Sequence, residues 1–169
     1  MLGRDYAGQN CSIARALEVV GERWTLLILR DAFFGVTRFE LWQRRLRIAP
    51  NILSKRLAAL VEAGILEREA YQRRPERFDY RLTPRGKELF PVILGLQRWG
   101  DENRAPDGPP ALPVHAACGE PVTRTGRCER CARAVDPDEV EWHWGPGSRG
   151  RTGVRPRPPE APPEPAGAA

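Results

Sequence analysis

The sequence predicts a mainly α domain carrying one small β-hairpin, an α+β arrangement followed by a short Cys/His segment and a disordered tail. Three observations predict it. Between residues 11 and 103, apolar side chains recur at helical spacing in successive runs punctuated by Gly and Pro. Two roughly alternating runs, residues 65–69 and 78–82, interrupt that pattern and read as strands. Past residue 103 the composition turns Pro-rich (105–113), then Cys-bearing (115–144), then Gly, Pro and Arg with the lone aliphatic Val154 (145–169).

The elements follow in order. Residues 11–20 read as a helix that Ser12 can cap, with Ile13, Ala14, Leu17 and Val20 on one face and Gly21 ending it. Residues 24–33 are apolar nearly all round, as a central buried helix is, and Gly35 breaks the run. Thr37 and Glu40 have the spacing of a capping box and open a short helix to Arg45. Pro50 then stands where the first turn of a helix tolerates proline, and Gly64 closes that helix. Leu53, Leu57, Leu60 and Val61 share one of its sides, Asn51, Ser54, Lys55, Ala58 and Glu62 the other, and Arg56 falls at the apolar shoulder. The strands 65–69 and 78–82 enclose a basic loop, residues 72–77. Thr83-Pro84 starts a last helix, kinked at Pro91, with Leu89, Val92, Ile93, Leu96 and Trp99 as its stripe. One small domain cannot cover that stripe, so it is expected to pack on a second copy of the chain.

Helix, turn, amphipathic helix and hairpin in this order make a winged helix-turn-helix. The major groove admits one helix, which needs an apolar face toward the core and small or polar groups toward the bases. Residues 50–63 divide in that way. Asn51 and Ser54 can bond base edges, and Lys55 can reach a base or a phosphate. Thr37, Arg38, Pro50 and Arg56 complete the expected DNA-facing set around the turn. In the hairpin, Arg73, Arg74 and Arg77 can reach phosphates or the minor groove. Charge agrees: residues 38–87 hold thirteen Lys/Arg against six Asp/Glu, a local excess of +7 in a chain of net +5.

At these residues the chain resembles the HxlR family of bacterial winged-helix regulators, relatives of the MarR type. The likeness is carried by Cys11-Ser12-Ile13-Ala14-Arg15-Ala16-Leu17, by Gly21-Glu22-Arg23-Trp24-Thr25-Leu26-Leu27-Ile28-Leu29 and by Phe34-Gly35-Val36-Thr37-Arg38-Phe39. It continues through Asn51-Ile52-Leu53-Ser54-Lys55-Arg56-Leu57, Glu62-Ala63-Gly64-Ile65-Leu66 and Tyr80-Arg81-Leu82-Thr83-Pro84-Arg85-Gly86. The resemblance implies a homodimeric, sequence-specific transcription regulator, read here as a repressor, with the first and last helices of the domain at the interface. Ala49 departs from the hydroxyl residue such proteins often place before the recognition helix, and the missing cap costs about 1 kcal/mol. Some members sense oxidants or electrophiles through a cysteine near Cys11, where a helix N-terminus favours the thiolate. The other reading of Cys11 is a small residue that fits the turn. A small-molecule or redox effector is compatible with either.

His115, Cys118, Cys128 and Cys131 form two x₂-spaced ligand hooks, the pattern of a tetrahedral Zn²⁺ site of three Cys and one His. Gly119 and Gly126 let the chain turn close to an ion, and the segment resembles a minimal zinc ribbon. With all four positions filled by protein, the zinc would be structural. A Cys128–Cys131 disulfide and an unstructured segment are the alternatives. His143, between two tryptophans, reads as unliganded.

The expected domains are therefore 11–108 (winged helix-turn-helix), 115–144 (ribbon) and 145–169 (disordered). On this division, losing the ion leaves DNA binding by the first domain intact. No apolar run spans a membrane and residues 1–10 lack a signal-peptide core, so a cytoplasmic location with no membrane partner is expected. An enzyme is disfavoured by the inventory: both histidines lie outside the main domain, and no Gly-rich phosphate loop or nucleophile–histidine arrangement occurs. The third possibility is a zinc-dependent interaction module that has lost DNA binding.

Overall fold

The computed structural model describes residues 10–74 and 76–155. The helices are α1 (Ser12–Val20), α2 (Thr25–Phe33), α3 (Phe39–Leu46), α4 (Pro50–Glu62), α5 (Pro84–Lys87) and α6 (Phe90–Arg104). The strands are β1 (Leu66–Arg73), β2 (Glu76–Leu82), β3 (Ala111–His115), β4 (Arg127–Cys128), β5 (Arg133–Ala134) and β6 (Val140–Trp144). The described residues fall into two compact units, one ending at Thr83 and the other beginning at Pro84. No helix among them is long and apolar enough to cross a membrane.

The first unit packs α1–α4 and the β1–β2 hairpin around Ile28, Leu29, Trp42, Leu53, Leu57, Leu60 and Leu66, all fully buried. As its all-round apolar pattern predicts, α2 is central. The indole of Trp42 donates to Ile28 O at 3.1 Å, so α3 is tied to α2 by a polar bond inside the core. A second tie is ionic. Asp31 is completely buried and accepts from Arg30 and from Arg45 at 2.9–3.1 Å. Gly64 closes α4 with φ +67°, while Ile65 N–H bonds Leu60 O and Gly64 N–H bonds Val61 O. That double closure needs a left-handed residue, which glycine adopts without strain.

Three local expectations change. Cys11, not Ser12, is the N-cap of α1, and its side chain makes no capping bond. No Thr37–Glu40 capping box forms: Arg38 is the N-cap of α3. The Thr37 hydroxyl goes instead to Asp79 at 3.2 Å, and Thr37 O accepts from Tyr80 N at 2.8 Å. Residues 37–38 thus pair with β2 as a short extended segment, and the competing long-range bonds win over the local cap. The hairpin is also longer than its alternation implied. Pairing runs from Leu66↔Leu82 to Arg73↔Glu76, so Arg73 and Arg77 are strand residues. A two-stranded ribbon with both faces wet needs no apolar alternation, which is why charged residues at its end obscured it.

In the second unit the last helix does not kink at Pro91. It breaks after Lys87 and restarts at Phe90, with Pro91 in the first turn, where its missing N–H is not needed. β3 begins inside the Pro-rich stretch and pairs antiparallel with β6, from Ala111↔Trp144 to His115↔Val140. β4 and β5 form a two-residue hairpin. Residues 145–155, expected as tail, fold back on β6: Trp144 N–H bonds Gly153 O at 2.9 Å, and Arg155 N–H bonds Trp142 O at 2.6 Å. These are backbone bonds, to which composition is blind. The rest of the expected disordered tail, 156–169, lies outside the described residues, as do residues 1–9.

Candidate nucleic-acid interface and metal centre

α4 is anchored by Leu53 and Leu57 at 0% exposure and Leu60 at 1%. Pro50, Asn51, Ser54, Lys55, Ala58 and Glu62 are exposed. The face that the sequence assigned to DNA is therefore free, and small residues on it permit close approach. Ala49 is the N-cap and supplies no side-chain bond, as its departure from the family pattern implied. Pro50 carries no N–H, and the N–H groups of Ile52 and Leu53 both bond Ala49 O at 3.0 Å, so the start of the helix is closed by its own backbone.

The other expected DNA contacts divide into two groups. Arg73, Arg74 and Arg77 are exposed on the hairpin, with Arg77 3.8 Å from Glu40. Arg38 and Arg56 are instead engaged within the unit. Arg38 pairs with Asp79 at 3.2 Å and lies 4.0 Å over the ring of Tyr71, with its side chain 17% exposed. Arg56 pairs with Glu22 at 3.1 Å, linking α4 to the turn before α2, and its Nε is buried without a partner. Two further arginines, Arg44 in the last turn of α3 and Arg47 at its C-cap, were not singled out in the sequence. Both are exposed at the turn into α4, and Arg47 is left-handed at φ +51°. Their signal was the basic last turn of α3, read only as helix. Cys11 is a half-buried free thiol whose carbonyl accepts Arg15 N–H at 3.1 Å.

In the second unit His115, Cys118, Cys128 and Cys131 converge, with all four potential ligand atoms within 4.8 Å of one another. His115 comes from the end of β3, Cys118 from the turn after it, Cys128 from β4 and Cys131 from the turn into β5. Cys118 Sγ lies 3.2 Å from His115 Nδ1 and 3.5 Å from Cys128 Sγ, and Cys131 Sγ lies 3.5 Å from His115 Nδ1. Ligands at tetrahedral zinc distances stand about 3.5–3.8 Å apart, so the four residues fit such an ion closely. All the cysteines are free thiols, so the alternative Cys128–Cys131 disulfide is not formed. His143 stays outside the cluster beside Glu141, at 3.4 Å.

Electrostatics favour a cation there. The Cys131 backbone N–H bonded to Cys128 draws that thiol's pKa down to about 7, against the effect of burial. Cys131 is pushed up to about 11, first by its hydrogen bond with Cys118 and then by burial. The sulfurs crowd one another, and a second thiolate is disfavoured until a positive ion stands between them. Behind the cluster, His115 Nε2 is 3.2 Å from Arg133 Nη2 and 3.9 Å from Glu139 Oε2. Arg133 and Glu139 are paired twice, at 2.8 and 3.0 Å. The guanidinium holds the Glu139 carboxyl below the usual range.

Comparison with known proteins bears on the whole of this arrangement. Residues 19–107 match the family described as HxlR-like helix-turn-helix. An uncharacterised HTH-type transcriptional regulator of Mycobacterium tuberculosis, Rv3095, is 47% identical over 141 residues, covering 83% of this chain and 89% of the relative. A match of that extent necessarily runs through the Cys/His cluster. YdeP of Bacillus subtilis, also described as an HTH-type regulator, is 30% identical over 60% of this chain and 82% of its own. Among solved structures, the candidate transcription factor PA1607 superposes with TM-score 0.61 at 36% identity, covering 77% of this chain and 92% of that one. The redox regulator HypR, in its oxidised form, gives TM-score 0.52 at 32% identity over 56% of this chain and 98% of its own. These relatives are regulators, and none is described as an enzyme. The chain belongs to the HxlR-like helix-turn-helix family and is a transcriptional regulator with a helix-turn-helix DNA-binding domain.

Proposed function

We propose that this chain is a homodimeric, sequence-specific repressor that reads its operator with α4 and grips the flanking backbone with the wing. The observation that carries this is the division of α4 into a buried leucine face and an exposed Asn51, Ser54, Lys55 face. Arg73, Arg74 and Arg77 serve phosphates or the minor groove. Thr37 and Arg38 hold the wing through Asp79, and Arg56 holds α4 through Glu22, while Pro50 sets the start of the reading helix. Homodimerisation is supported by the exposed apolar stripes of α1 (Ile13, Leu17) and α6 (Val92, Leu96, Trp99). The resemblance to the redox regulator HypR supports an effector that acts through Cys11, and exposing the protein to a mild oxidant with and without Cys11→Ser tests it.

Gel-shift titration on the promoter of its own gene tests the reading. Asn51→Ala and Ser54→Ala should each lower discrimination between operator and random DNA by about 1–3 kcal/mol. Arg73→Ala and Arg74→Ala should weaken both and flatten the salt dependence. Unchanged operator affinity in all four variants overturns the assignment. In a reporter assay, deletion of the gene should raise transcription.

A second reading concerns the cluster. His115, Cys118, Cys128 and Cys131 hold one structural zinc ion per chain, supported by ligand atoms within 4.8 Å of one another. Bound zinc supplies folding free energy, and no position is left for substrate. Elemental analysis should find close to one zinc per chain, lost in Cys128→Ser.

A further inference from the structure

The two faces of α6 have different fates. Phe90, Ile93 and Leu94 are 2%, 5% and 3% exposed, while Val92, Leu96 and Trp99 are 47%, 50% and 58% exposed. At 100° per residue the exposed set forms one stripe, and Phe90 and Leu94 lie on the opposite side. That opposite side is seated on the ribbon. Phe90 meets Trp142 edge to face at 6.4 Å. A methyl group placed on Gly126 would already touch Pro91 and Phe90, at 3.6 and 3.7 Å. Gln97 Nε2 donates to Ala111 O at 2.6 Å. Lys87, just ahead of the helix, pairs with Asp136 at 3.1 Å and Asp138 at 2.6 Å.

Three of these seats lie close to a residue of the Cys/His cluster. Gly126 precedes Cys128 by two residues, and Trp142 shares β6 with Val140, the partner of His115. Asp136 and Asp138 lie in the turn that ends in Glu139, beside His115. The ribbon's apolar content, Val114, Val122, Val135, Val140 and Trp142, is too small to hold it together unaided. A metal ion at the cluster would supply the constraint that so small a core lacks, and the buried face of α6 shares that core.

We propose that the Cys/His centre is the support on which α6 presents its apolar stripe, so that metal supply governs dimerisation and, through it, operator binding. This rests on the zinc and dimer readings above and reverses the expectation that the metal segment is dispensable for binding DNA. It requires no contact between the ion and DNA. Losing the ion loosens the seat, the stripe loses its fixed geometry, and two half-sites are no longer held by one linked pair of subunits.

The test uses the full chain. Zinc content and sedimentation are measured first, on protein as purified. A zinc-free preparation or a zinc-loaded monomer overturns the proposal at this stage, and identifies which underlying reading has failed. The zinc-loaded dimer is then stripped with a chelator. The expected result is a monomer with fast amide exchange along α6 and operator affinity lower by about 10²-fold or more, all restored by added zinc. A stripped protein that remains dimeric, with α6 still protected, overturns the proposal. Phe90→Ala covers the case in which stripping unfolds the chain, because it keeps all four ligands. It should retain one zinc per chain yet dimerise about 10-fold more weakly or worse, as expected when a seated aromatic is removed. Unaltered dimerisation in that variant counts against the proposal equally.

Discussion

Two residues show how a single side chain fixes larger geometry. Asp31 is the only fully buried carboxylate among the described residues, and its four bonds from Arg30 and Arg45 join α2 to α3 ahead of the reading helix. Both arginines are partly exposed and can turn to water when the carboxylate is lost, so Asp31→Ala should cost about 1.5–3 kcal/mol in urea unfolding. A change under about 0.5 kcal/mol would make the pair ornamental. Glu139 is the second. In the proposed zinc site, ligation by His115 through Nδ1 would leave the proton on Nε2, which then requires an acceptor. Arg133, at 3.2 Å, offers only donors, whereas Glu139 offers a carboxylate. Glu139→Ala should weaken zinc roughly 10–100-fold in chelator competition, with Glu139→Gln partly restoring it. Equal affinities in both variants would remove Glu139 from the centre. Neither role is visible in the sequence, where Asp31 and Glu139 are two acids among twenty-two.

Among the elements, α4 was legible almost residue by residue, because its buried leucines and free polar face follow directly from helical periodicity. Leu57→Ala, at 0% exposure, should destabilise the first unit by about 2–5 kcal/mol, measured by thermal or urea unfolding. The wing was half legible. Its pairing with residues 37–38 through Asp79 joins positions 41 and 42 residues apart, and no local pattern encodes that. The turn 136–139 carries a pH signature. Asp136 is held below its usual range, first by the Asp138 backbone N–H and also by Lys87. Its folded pKa lies below the unfolded one, so it stabilises the unit above the ordinary carboxylate range and loses that contribution as pH falls through the folded value. Between about pH 5 and about pH 3, wild-type stability should fall more steeply than that of Asp136→Asn. Parallel curves would show that the turn does not contribute to acid sensitivity.

For the molecule as a whole, the +7 excess over residues 38–87 sets the expected salt response. On the proposed dimer, three wing arginines in each of two subunits would give about six phosphate contacts. Raising salt from about 50 to about 200 mM should then lower operator affinity about 10³-fold. A slope corresponding to one or two contacts would mean that the wing does not engage the backbone. A dimer also requires half-sites about 34–36 Å apart, or multiples of that spacing, which footprinting on the operator reads directly.

The sequence by itself determined the order of helices and hairpin, the exposed polar side of α4 and the four members of the Cys/His cluster. Each is written in local spacing: 3.6-residue periodicity, Gly and Pro punctuation, and paired x₂ hooks. The tertiary structure alone decided where the chain divides. The family match runs through residue 107, in keeping with a boundary in the Pro-rich stretch, while the compact units part at Thr83 and group α6 with the ribbon. The tertiary structure also decided that residues 145–155 return to β6, and that Thr37 serves Asp79 rather than its own helix. The physical reason is common to these cases. Each outcome is a competition between a local preference and a partner distant in the chain, and the distant partner's share of the free energy exists only once the chain has folded.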